Sequence, residues 1–397
     1  MSPAAPARSA SPEPAEWPDV DWHGLRAQRW ERTAAWMRAA GLDHLILCSG
    51  DAIRYVCDVR TRLTPESDDW YALVVDADGA SELFVPWADE RIDDPYPGSG
   101  VLTLRPAPAW APASLHPVSW AKALARPLTR GVRARRIGVE GLPGEVLEAL
   151  GALLPDAELL PVQAAMLELR REKLPDEVVL LEAASRCNSR AVTAALDAGR
   201  AGVRDYDFLA AAVAQQIGDG AEFFSHAVCN VRKPSGDWYP YGVRLEEGDA
   251  FMFDVGCYGV GGYASDIARV GFVGDPHPTV ARAYAELLSA LRVGEDLAKP
   301  GARTSDLDAA INGYLARQGL PTTPYAMGHG LGLRLAESPT IFRPGRLDDD
   351  ARLRLGDVIA LEPETTVELD GKVITLKIED NYAVEADGLR RLSDARY

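Results

Sequence analysis

Four carboxylates and one imidazole in the C-terminal half of this 397-residue chain could hold and activate a cation: Asp254, Asp266, His329, Glu362 and Glu379. His329 lies between two glycines in YAMGHGLGLRLAESPTI, residues 325–341, and glycine lets a backbone come close to whatever an imidazole holds. Asp254 and Asp266 flank a glycine-rich turn in DAFMFDVGCYGVGGYASDIARVGFVG. A hairpin turning about Val260 brings their carboxylates near each other across the strands. In DVIALEPETTVELDGKVITLKIEDNYAV the Asp370-Gly371 pair favours a two-residue turn, which sets Glu362 directly opposite Glu379. Like charges opposed on a sheet are destabilising unless something neutralises them. Carboxylates with an imidazole suit Mn, Fe, Co or Zn, and two such ions about 3.5–4 Å apart are a recurrent hydrolytic arrangement.

The elements that must position these groups fall into two regions. Apolar residues at helical spacing from Leu25 to Ala40, stopped by Gly41, predict a helix. The short apolar runs HLILCSG, YALVVDAD and SELFVP read as strands, and GEVLEALGALL as a further helix. Together they predict an α/β domain over residues 21–165. Pro175, followed by Asp176 and Glu177, opens a long helix that ends near Gly199. Helices are also expected at DYDFLAAAVAQQIG, PTVARAYAELLSALRVG and TSDLDAAINGYLARQG. Between and after them lie strand-like segments, so residues 166–397 read as an α+β domain.

Composition narrows the function. Asp and Glu number 59 against 42 Lys and Arg, a net charge of −17, which argues against nucleic-acid or anionic-membrane partners. The five cysteines include no CxxC pair, so neither a disulfide framework nor a thiolate zinc site is expected, and a cytoplasmic location is. No run approaches the roughly 18 apolar residues that span a bilayer. The opening MSPAAPARSASPEPAEW reads as a disordered tail over residues 1–20.

In FDVG…GYASDIAR, GHGLGL, LEPE and KIED the chain resembles the pita-bread metallohydrolases of peptidase family M24: methionine aminopeptidase, aminopeptidase P, prolidase and creatinase. WMRAAGLDHLILCSGDAIRYVCDV and ALVVDADGASELFVP look like the creatinase-type N-terminal domain, and LRREKLPDEVVLLEAA like the interdomain helix. The resemblance implies a C-terminal pita-bread domain behind a smaller α/β domain, a homodimer, and two divalent ions with a bridging water or hydroxide. Asp254, Asp266, His329, Glu362 and Glu379 fill its five ligand positions, and Glu362 matches the carboxylate usually assigned as proton acceptor.

Departures bear on substrate. The family's peptidases carry a second histidine where Ala336 stands, and another near Asp237 or Trp238. Loss of such donors removes support for a substrate carbonyl or developing oxyanion. Lys377 replaces a common arginine, Glu364 a common glycine, and the Asp254 to Asp266 spacing is one residue longer than in typical peptidases. His226 is a candidate catalytic group, with Arg334, Tyr239 and Glu337 as candidate substrate-binding residues. Trp17, Trp22, Trp30 and Trp36 are candidates for packing in a core or at a domain or subunit interface. The expectation is a hydrolase acting on a small amide, amino-acid-derived or short peptide-like substrate, outside the standard Xaa-Pro peptidases. The alternatives are a lyase resembling dimethylsulfoniopropionate lyase and a catalytically silent ligand-binding protein.

Overall fold

The computed structural model describes residues 17–59, 71–85, 103–107, 116–130, 135–343, 345 and 350–397. Helix α1 (Trp22–Ala40) opens at Asp21, whose carboxylate accepts a hydrogen bond from the Gly24 N–H, and stops at Gly41 with φ 65°. The chain then runs through β1 (His44–Leu47), α2 (Gly50–Cys57), β2 (Ala72–Asp76), β3 (Ser81–Val85) and β4 (Thr103–Pro106). After α3 (Pro117–Leu128) come β5 (Arg136–Glu140), α4 (Gly144–Leu153), β6 (Glu158–Pro161) and α5 (Gln163–Leu169). The six strands form one mixed sheet in the order β4-β3-β2-β1-β5-β6. Both faces are covered, which is why its strands read as unbroken apolar runs rather than alternating ones. Ile46, Val74 and Ile137 pack under Trp120, Leu124 and Leu150 of α3 and α4. Their neighbours Leu45, Leu47 and Leu73 face the opposite side with Leu25 and Ile53 of α1 and α2, as the two-residue strand period requires.

The second domain begins with α6 (Pro175–Ala198), where the Glu177 carboxylate accepts the Leu174 N–H at 2.9 Å, followed by α7 (Asp205–Gly218). Strands β7 (Phe223–Val231), β8 (Ala250–Tyr258) and β9 (Ala264–Phe272) form an antiparallel sheet. Helices α8 (Pro278–Leu297) and α9 (Thr304–Arg317) precede β10 (Gly328–Gly330), β11 (Glu337–Ile341) and β12 (Val358–Leu361). The chain closes with β13 (Glu364–Leu369), β14 (Lys372–Lys377), β15 (Asp380–Glu385) and β16 (Gly388–Arg391). A five-stranded sheet in the order β11-β10-β12-β15-β16 stands beside the β13-β14 hairpin. Phe208 and Val192 of α7 and α6 pack on Phe251 and Phe253 of β8. Leu291 and Ile311 of α8 and α9 pack against Ile359 and Leu361 of β12. Sheets held between two helix pairs give the pita-bread form of an α+β fold.

Two hairpins carry the acidic pairs. In the second, Asp370 and Gly371 take φ of 51° and 75°, the backbone of a two-residue turn whose twist matches its strands. Leu361 pairs with Asp380 and Glu364 with Lys377, a register that sets Glu362 against Glu379. The first hairpin turns about Gly261 rather than Val260, because a short 3₁₀ segment with positive φ at Gly261 and Gly262 fills the bend. Asp254 therefore faces Ala268 while Asp266 faces Gly256. Shifted by two, the carboxylates are diagonal neighbours that keep the same face.

Of the tail expected over residues 1–20, residues 17–20 lie among the described residues. Residues 1–16 lie outside the described residues, but Trp17 donates its indole N–H to the Asp219 carbonyl at 2.9 Å and packs near Cys187 and Cys257. Among the described residues no helix is long and apolar enough to cross a membrane.

Candidate metal centre

Strand β10 runs between β11 and β12, and its two glycines permit that closeness. A Cβ at Gly328 would lie 2.0 Å from the Ala360 carbonyl oxygen, and one at Gly330 would lie 2.2 Å from that of Ser338. His329 Nδ1 lies 3.1 Å from the Gly330 carbonyl oxygen. A carbonyl only accepts, so Nδ1 carries the proton, and in the neutral ring Nε2 presents a lone pair. That atom faces Asp266 Oδ2 at 3.7 Å, Glu379 Oε1 at 3.8 Å and Glu362 Oε1 at 3.9 Å. Four acceptor atoms thus converge. Glu379 is fully buried and its Oε1 has no hydrogen-bond partner among the described residues, an arrangement that costs several kcal/mol unless a cation enters.

The residues hold their places through a polar scaffold. Asn381 accepts the Asp266 N–H and returns its own amide to the Asp266 carbonyl at 2.6 Å. Arg269, fully buried on β9, pairs with Asp380 at 2.7 Å and donates to the Glu379 carbonyl at 2.7 Å. Such partners fix the orientation of ligands before any ion binds.

On the other side of the cluster, His226 Nε2 lies 3.0 Å from Asp254 Oδ1 and 3.4 Å from Asp266 Oδ1. His226 comes from β7 opposite Gly256, where a Cβ would lie 2.6 Å from its Cε1 atom. Lys377 Nζ donates to Asp254 Oδ2 at 2.6 Å and stands 2.9 Å from Glu362 Oε2 and 3.2 Å from Glu379 Oε2. Burial alone would lower Lys377, but the three carboxylates raise its pKa well above the ordinary lysine range. Burial opposes the charge of Asp254, yet Lys377 and His226 hold its carboxyl well below the usual range. Glu379 is pushed well above its ordinary value, by burial first and then by Asp266.

The sequence-predicted residues divide accordingly. Asp254, Asp266, His329, Glu362, Glu379 and His226 come together. Arg334 and Glu337, expected to bind substrate, are engaged in an interdomain ion network instead. Arg334 meets both oxygens of Asp51, at 2.6 and 3.0 Å, and Glu337 pairs with Arg170 at 2.8 Å and Lys173 at 3.2 Å. Tyr239 is 67% exposed. The position of the second peptidase histidine holds exposed Ala336, while Trp238 stacks edge-on with Tyr325. Lys377, which the motif marks only as the replacement of a common arginine, is a residue of the cluster to which the sequence reading gave no role. Its position two residues before Glu379 on a strand was the available signal, since that spacing puts both on one face.

Residues 179–386 match metallopeptidase family M24, and residues 29–171 match the creatinase/prolidase N-terminal domain. An Xaa-Pro dipeptidase from Pyrococcus horikoshii is 28% identical over 267 residues, 65% of this chain and 73% of that protein. The crystal structure of a prolidase from Pyrococcus horikoshii aligns with a TM-score of 0.76 at 21% identity, covering 93% of this chain and 99% of that one. Dipeptidase PepE from Mycobacterium ulcerans aligns with a TM-score of 0.73 at 25% identity, covering 96% and 98%. With its domain order and fold matched over nearly the whole length, the chain belongs to metallopeptidase family M24.

Proposed function

We propose that the chain is a metal-dependent hydrolase of a short peptide-like or small amino-acid-derived amide, outside the standard Xaa-Pro set. The observation that carries this reading is the lone pair of His329 Nε2 facing three carboxylate oxygens at 3.7–3.9 Å. Asp266, His329, Glu362 and Glu379 would hold a divalent cation from the Mn, Fe, Co and Zn group. When bound, such an ion polarises a carbonyl and lowers the pKa of water towards neutrality. Glu362, at the edge of the cluster with 11% of its side chain exposed, is placed to accept a proton and return it to a leaving amine. His226, with 24% of its side chain exposed beside Asp254 and Asp266, is a second proton-carrying group. The substrate clause rests on Ala336 and on Trp238 with Asp237, where the peptidases' histidine donors are absent.

Xaa-Pro dipeptides, other dipeptides and N-acyl amino acids, assayed in ¹⁸O-labelled water with metal-loaded protein, test this. Turnover with label in the product acid, abolished in Asp266→Asn and His329→Ala, is the expected result. Xaa-Pro dipeptides as the preferred substrates would overturn the substrate clause. A metallated protein silent across the panel would overturn the hydrolase. Unlabelled product would replace hydrolysis with elimination.

A further inference from the structure

We infer that Lys377 is a built-in cation of this centre, so that the chain binds one divalent ion where the pattern of its acidic residues alone calls for two. The inference rests on the metal reading above and concerns how the donor atoms are divided. The ammonium has three N–H donors, and three carboxylates surround it: Asp254 at 2.6 Å, Glu362 at 2.9 Å and Glu379 at 3.2 Å. Both oxygens of Asp254 are already engaged, Oδ2 by Lys377 and Oδ1 by His226 at 3.0 Å. Glu362 and Glu379 each turn one oxygen to the ammonium and the other toward His329.

What remains on the far side is the group of Asp266, His329 and Glu379, whose donor atoms lie within 4.8 Å of one another. The second such group, His226 with Asp254 and Asp266, shares its Asp254 carboxylate with the ammonium 2.6 Å away, whose charge opposes a dication there. Ligand bonds of about 2.0–2.2 Å put neighbouring donors of a tetrahedral ion about 3.3–3.6 Å apart. Within the group on the far side Asp266 Oδ2 and Glu379 Oε1 stand 3.7 and 3.8 Å from His329 Nε2, and Glu362 Oε1, outside it, stands 3.9 Å from the same atom. Lys377 is 4% exposed, with Trp238 and Tyr325 each 5.7 Å from its ammonium. Those rings wall the charge in, and their faces favour a cation there.

Stoichiometry reads this directly. Wild-type protein stripped by a chelator is titrated calorimetrically with Co(II) and with Mn(II), then desalted and its metal content measured. One equivalent is expected. Lys377→Ala and the stem-preserving Lys377→Met should take up two, with folding of each checked by circular dichroism. Asp254→Asn should keep its one equivalent, and His329→Ala should keep none. Two equivalents in the wild type, or one in both folded Lys377 variants, would overturn the inference while leaving the metal reading intact. No bound metal in the wild type would overturn both.

Discussion

His329 owes its position to what its neighbours lack. The Ser338 carbonyl leaves no room for a side chain at Gly330, and backbone on both sides of β10 gives a new methyl nowhere to go. Gly330→Ala should therefore destabilise the fold by about 2–3 kcal/mol, the upper range for overpacking. The clash pushes β10 away from β11, so cation affinity should fall with stability. Urea denaturation and metal titration of the same variant check the two effects together, and unchanged values in both would show that β10 yields easily. The clustered residues were legible because each is a rare choice at its place: carboxylates on strands otherwise apolar, an imidazole between glycines. Arg334 and Glu337 were not legible as structural residues, because Asp51 and Arg170, their partners, lie 283 and 167 positions away in the chain. No local pattern announces such a pair.

Helix α2 shows how one element of the first domain braces the second. Its first-turn Asp51 is buried against Arg170 at 2.6 Å and Arg334 at 2.6 Å. Burial works against the charge, but the two guanidiniums prevail and bring the Asp51 carboxyl down to about 2. A carboxyl held below its ordinary value near 3.8 stabilises the fold fully above that value. Its contribution, about 2 kcal/mol, is lost as pH falls through about 2. Asp51→Asn should lower stability at pH 6 by about 2 kcal/mol, since buried Arg170 keeps only Glu337 as a carboxylate at ion-pair distance, and should flatten the acid slope between pH 4 and 2. Denaturant midpoints across that range, compared with wild type, give the answer; parallel slopes would remove Asp51 from the acid transition. Further along α2, Arg54 grips Glu222 through two hydrogen bonds of 2.6 and 2.8 Å, and Glu222 accepts the Gly261 N–H at the β8-β9 turn. Hairpin registers were legible to different degrees for this reason. The β13-β14 turn is set locally by Asp370-Gly371, whereas the β8-β9 bend, centred on Gly261 rather than Val260, is also held from the other domain by Arg54 through Glu222.

The two domains share an apolar core. Leu25, Ile53, Leu73 and Met166 from the first pack in one cluster with Leu180, Tyr258, Tyr263, Leu331 and Ala360 from the second, and Trp22, Trp30 and Trp36 lean on it. Arg29 ties the halves again, donating to Tyr263 and lying 3.4 Å from Glu177. Removal of residues 1–170 would expose these side chains of the second domain, at roughly 1.5–3 kcal/mol for each large one returned to water. A chain of two independent domains would melt in two steps, but a core of this composition couples them, so the intact protein should show one calorimetric transition. Saturating the centre with cation should move that whole transition upward, by about 2.7 kcal/mol at a concentration one hundred times Kd, because the ion binds only the folded form. Chelation should reverse it. Differential scanning calorimetry of stripped and metal-loaded protein tests both statements at once. Two transitions, with only one responding to metal, would mean that the N-terminal domain folds apart from the domain that carries the centre. A single transition that shifts as a unit means that α1 and α2 stabilise the cation site through the shared core, although none of their side chains touches it.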